Sequence, residues 1–66
     1  MKFIECHEKT TNTKVLVPLD KIITISQCHE DLTAFIETSF DVDGNGVGFY
    51  TKELYAEIVL KLRMIA

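Results

Sequence analysis

Hydrophobic and polar residues alternate over much of the first 40 positions, and the period then changes. From Lys2 to Glu8, Ile4 and Cys6 fall on one side of an extended chain, with Phe3, Glu5 and His7 on the other. That period of two predicts a strand. Lys9-Thr10-Thr11-Asn12-Thr13 follows no apolar period and reads as a loop. Lys14 to Leu19, rich in valine, is a second strand, and Pro18 sits near its end, where a missing N–H is tolerated. Leu19-Asp20-Lys21 makes a corner into a third strand, Ile22 to Cys28, which the polar run His29-Glu30-Asp31 breaks.

Residues 32–40 contain the β formers Thr33, Phe35, Ile36, Thr38 and Phe40. They predict a fourth strand, with a helix as the rival reading. Asp41-Val42-Asp43-Gly44-Asn45-Gly46 holds Asp-Gly and Asn-Gly in succession, a hairpin signal, and Val47 to Tyr50 would follow as a short fifth strand. From Lys52 to Met64 the period becomes helical. Leu54, Ile58, Leu62 and Ile65 form one stripe, widened by Tyr55 and Val59. Thr51 is the expected N-cap. Glu53 and Glu57 near the amino end, and Lys61 and Arg63 near the carboxyl end, suit the helix dipole.

The predicted fold is α+β. An antiparallel meander of four to five strands, able to curl into a small barrel, is followed by one C-terminal amphipathic helix in a single domain spanning residues 1–66. One helix covers only one sheet face, yet Phe3 stands beside Ile4, Ile22 beside Ile23, and Phe35 beside Ile36. Either the sheet curls closed or its second face is buried against another subunit. We expect a homo-oligomer, with Phe3, Ile23, Ile25 and Phe35 as candidate contact residues. Alternation alone leaves open which member of each pair faces the helix.

Composition supports that expectation. The chain has 66 residues, 47% hydrophobic and 26% charged. Folding at this size hides only about 60% of the unfolded surface, so a lone core is marginal and deep pockets have few walls. Seven basic residues against ten acidic ones give a net charge of −3, and the basic residues are scattered with no adjacent pair. Nucleic acid and anionic membranes are therefore not expected partners. The segment Met1-Lys2-Phe3-Ile4-Glu5 lacks the apolar stretch of a signal peptide, and Val15-Leu16-Val17 and Ile58-Val59-Leu60 are too short to span a bilayer. A cytoplasmic protein is expected. Two cysteines are not a disulfide framework.

VLVPLDKIITI (15–25), TAFIET (33–38), a Gly-containing turn and YTKELYAEIVLKL (50–62) together resemble the short FlbD flagellar and swarming motility protein family. Lys52, Glu53, Glu57 and Ile58 occupy the positions of its Lys-Glu-Ser helix start and Glu-Glu-x-Ile pattern. Leu54 replaces the usual Ser, and the acidic turn is longer than the family's Asn-Gly turn. The resemblance implies the meander-plus-helix fold and a regulatory or assembly role. It implies no enzymatic activity and no cofactor.

Three constellations bear on chemistry. Asp41, Asp43 and Asn45 match positions one, three and five of a calcium-binding EF-hand loop, with Gly46 at position six. Position twelve, however, is the cation Lys52, and Glu53 is one place late, about 100° around a helix. A plain hairpin turn explains the same residues. Cys6-His7-Glu8 and Cys28-His29-Glu30 supply two Cys and two His, a zinc ligand set, but adjacent Cys and His on a strand point to opposite faces. Convergence would require the first and third strands to be neighbours. Cysteine nucleophile chemistry lacks a glycine-rich nucleophile turn, so no enzyme is expected. The leading reading is a protein–protein interaction module; the alternative is metal binding at one of these two clusters.

Overall fold

The computed structural model describes residues 2–65. Its elements run in the order β1 (Phe3–His7), β2 (Lys14–Pro18), a 3₁₀ turn (Leu19–Lys21), β3 (Thr24–Gln27), β4 (Thr33–Phe40), β5 (Gly46–Leu54) and α1 (Tyr55–Ile65). The fold is α+β, and residues 33–40 are extended rather than helical. The strands divide into two antiparallel sheets, the hairpin β1-β2 and the meander β3-β4-β5, and no barrel closes among the described residues.

The two sheets join where β1 ends. An antiparallel bridge links Glu8 to Thr51, and the Lys9 N–H donates to the Tyr50 carbonyl at 2.9 Å. Further back along β1, the Lys61 ammonium of α1 donates to the Glu5 carbonyl. Seen across this junction, the strand sequence is β2-β1-β5-β4-β3, with β2 and β3 at the two outer edges.

Alternation sorts the faces. Ile4 and Cys6 of β1 lie opposite Val17 and Val15 of β2, while Ile25, Ile36 and Phe49 align across β3, β4 and β5. These inward residues meet Ile58 of α1. Ile4, Cys6, Val17, Ala34, Ile36 and Ile58 are fully buried, with Val15, Ile25, Phe49, Tyr55, Leu62 and Ile65 packed around them. Pro18 fits β2 because the β1–β2 ladder uses the Leu19 N–H, to the Lys2 carbonyl, and the Glu8 N–H, to the Thr13 carbonyl. In an antiparallel pair that alternation turns the Pro18 nitrogen to the open edge, where no donor is needed.

Local polar groups close the turns. The Glu8 carboxylate accepts the Thr11 N–H and the hydroxyls of Thr10 and Thr11. Leu32, at φ 63°, is in the left-handed region, which is costly for a leucine. It is held from both sides: its N–H donates to the Cys28 carbonyl, and its own carbonyl accepts the Tyr55 N–H at 2.8 Å.

The helix begins later than the periodicity predicts. β5 continues through Leu54, and Thr51 is a fully buried strand residue rather than an N-cap. Opposite Ala34, β5 carries three residues, Thr51 to Glu53, so the strand bulges. The Thr51 hydroxyl accepts the Ala34 N–H at 3.2 Å and donates into the Glu53 carbonyl (2.9 Å), with the Ala34 carbonyl at 3.3 Å. At the true start of α1, the Glu57 carboxylate reaches back to the Leu54 N–H at 3.4 Å, half of a capping box.

Candidate functional site

The face of β3-β4-β5 turned away from α1 carries a shallow groove of about 330 Å³ lined by Ser26, Gln27, Cys28, His29, Glu30, Phe35 and Tyr50. Its floor is the cross-strand pair Phe35–Tyr50, with ring centroids 4.7 Å apart and planes tilted by 56°. Such pairs add roughly 0.5–1.5 kcal/mol beyond their area. The Lys9 ammonium lies 5.8 Å from the centre of the Tyr50 ring and pairs with the Asp31 carboxylate. Asp31 also accepts the Thr33 hydroxyl and N–H, and these donors together hold its carboxyl far below the usual range. The positive charge at the groove is thus neutralised within the chain.

The candidate contact residues separate. Phe3 and Ile23 are exposed, at 44% each. Phe35 is half-buried on the outer face, whereas Ile25, opposite Ile36, packs on the inner face against the core. Ile25 and Phe35 therefore do not share one contact face. Phe3 instead borders a second hollow of about 310 Å³ with Ile4, Glu5, Lys61, Met64 and Ile65.

The Asp41–Gly46 segment is the β4–β5 connection. Asp41 Oδ1 accepts the N–H groups of Asp43 and Asn45, both at 2.9 Å, which lowers its carboxyl below the usual range. Gly44, at φ 83°, supplies the left-handed residue. The Asp41 side chain is used to tie the turn, and the preceding segment is a strand, so the loop has no entering helix.

The Cys and His residues do not converge. β1 and β3 lie in different sheets. Cys6 is in the core, where burial, reinforced by the Glu53 charge, pushes its thiol up to about 11. His7 is bound to Glu53: its N–H donates to Oε1 at 2.9 Å and its Nδ1 to Oε2 at 2.8 Å. Cys28 is a free half-buried thiol at the groove, and His29 is exposed beside it. Among the described residues no group of three or more His, Cys, Asp or Glu is placed to hold a metal ion.

Two features lay outside the sequence reading. Lys9 and Asp31 meet at Tyr50 from loops far apart in the chain, and no local pattern signals that. The second was visible: β3 and its flanks, Ile22 to Cys28, contain no charge and no proline, although β3 is an outer edge. No helix among the described residues is long and apolar enough to cross a membrane. Comparison with protein-family models, curated proteins and solved structures finds no match.

Proposed function

We propose that this chain works by protein–protein association, as a non-enzymatic homo-oligomeric module. The observation that carries this reading is the balance of apolar surface. Among the described residues six hydrophobic ones are fully buried, while Phe3, Leu16, Phe40, Leu60 and Met64 are each 44% or more exposed. They are spread over both sheets and α1, so one helix on one face leaves much apolar area in water. At about 25 cal/mol per Å², covering such area is the main driving force available to a small domain with a modest core. The groove supports the same reading: it is shallow, and the Lys9 ammonium beside it is already paired with Asp31. The regulatory or assembly role implied by the FlbD resemblance is of this kind.

Multi-angle light scattering at micromolar concentration tests the proposal. The expected result is a mass of at least twice the 7.5 kDa chain. A stable species of single-chain mass throughout the micromolar range refutes it.

A further inference from the structure

The two outer edges of this protein are built differently. β2 is guarded: Lys14 stands at one end and Pro18 at the other, devices that discourage a further strand from adding. β3 has neither. Ile22-Ile23-Thr24-Ile25-Ser26-Gln27-Cys28 is uncharged, free of proline and rich in β-branched residues. Natural sheets rarely leave such an edge in water, because its unpaired backbone groups template another strand.

The ladder shows which groups are free. The Cys28 N–H donates to the Thr33 carbonyl across the β3–β4 register. In an antiparallel pair, alternate residues bond inward, so Ser26 and Thr24 share that orientation while Ile25 and Gln27 turn their N–H and C=O outward. The Ile23 N–H bends inward to the Glu37 carbonyl, leaving its carbonyl as the group free to accept.

We infer that β3 pairs antiparallel with β3 of a second copy of this chain, about a twofold axis perpendicular to the sheet at Ile25. This rests on the association reading above and assigns its surface. A twofold pair must bring like faces together, and centring on Ile25 does so in the hydrogen-bonding register. Ile25 exchanges two bonds with Ile25 of the partner subunit, and the Gln27 N–H reaches Ile23 of the partner subunit. Thr24 lies opposite Ser26 of the partner subunit, a favourable hydroxyl pair. No charge falls opposite another within the seven residues, so the strand is complementary to itself. The product is a continuous six-stranded sheet with both helices on one side and both aromatic grooves on the other. Exposed Ile23 becomes covered.

The test compares edge variants by light scattering and far-UV circular dichroism. Gln27→Pro deletes an outward N–H of β3 without touching the β3–β4 ladder, and Leu16→Pro does the same on the β2 edge. The inference predicts a dimeric wild type, a dimeric Leu16→Pro and a folded, monomeric Gln27→Pro. A folded Gln27→Pro that remains dimeric overturns the β3 assignment and leaves self-association standing. A monomeric wild type overturns both. Amide exchange of the wild type decides the matter even if Gln27→Pro does not fold. The Ile25 and Gln27 amides, solvent-facing in one copy, should slow about tenfold or more as concentration rises into the dimeric range. Fast exchange of both amides in a sample shown to be dimeric refutes the pairing.

Discussion

Thr51 shows how much one hydroxyl holds here. It is fully buried, and its oxygen serves the Ala34 N–H and the Glu53 carbonyl at the point where β5 bulges. Thr51→Val keeps the shape and removes the hydroxyl, leaving a buried donor and acceptor unpaired. A loss of about 1–3 kcal/mol is expected. Thr51→Ser keeps the oxygen and should recover much of it; urea unfolding of the two variants checks the difference. Two residues on, Glu53 ties β5 to β1 by accepting the backbone N–H and the ring Nδ1 of His7. Partial burial pushes its carboxyl up, but the His7 ring and backbone donors outweigh that and hold it below its ordinary value of 4.5. A carboxyl whose pKa is lower in the folded state stabilises the fold above the unfolded pKa. That contribution disappears as pH falls through the lowered folded value. Glu8, Asp31 and Asp41 are lowered too, so acid weakens the protein at several points. Glu53→Gln should remove one share of this dependence, giving a shallower fall of the urea midpoint between neutral pH and the acid range. An unchanged slope would show that the carboxylate of Glu53 does not couple folding to protons.

At the scale of elements, the β4–β5 pairing depends on a close approach that only glycine permits. A Cβ on Gly48 would lie 1.9 Å from the Ile36 carbonyl oxygen, a backbone atom in the middle of the sheet. A Cβ on Gly46 would meet only the carboxylate end of Glu37, which can swing away. Gly48→Ala should therefore cost about 3 kcal/mol or more, while Gly46→Ala stays within roughly 1 kcal/mol; thermal melts of the two variants make the comparison. Nothing in the sequence distinguishes these two glycines, because the difference arises from their partners on β4: Glu37, nine residues before Gly46, and Ile36, twelve before Gly48. The strands themselves were legible. Ile4 with Cys6 and Val15 with Val17 alternate as they do because each pair faces the core. The strand-to-helix boundary was not. Leu54 falls in phase with Ile58, Leu62 and Ile65, so the helical period extends one turn too far toward the amino end. What keeps 51–54 extended is tertiary: the Thr51 bonds to Ala34, the Glu53 bonds to His7 and the bridge to Glu8. Local propensity yields to such contacts. The groove was likewise hidden. Phe35 and Tyr50 become partners only once β4 and β5 are in register, and Lys9 joins them only through the β1–β5 junction.

For the whole molecule, the open edge and the small core bear on the same quantity. The six buried hydrophobic residues among those described give one copy little margin, and its two sheets are joined at one end by a bridge and a few side chains. Pairing two β3 strands would extend the meander from three strands to six and add cover for Ile23. Folding and association would then be linked, and stability would depend on concentration by mass action. Each tenfold rise in protein concentration adds about 1.4 kcal/mol per dimer, or roughly 0.7 per chain. For a domain of this size that corresponds to a Tm increase of about 3–5 °C per decade of concentration. Calorimetry over two decades measures this directly. Gln27→Pro should flatten the dependence while Leu16→Pro preserves it, because only the first removes a donor from the edge that pairs. A wild-type Tm independent of concentration would mean that the core of one chain suffices and that covering its exposed apolar residues contributes nothing to the stability of the fold.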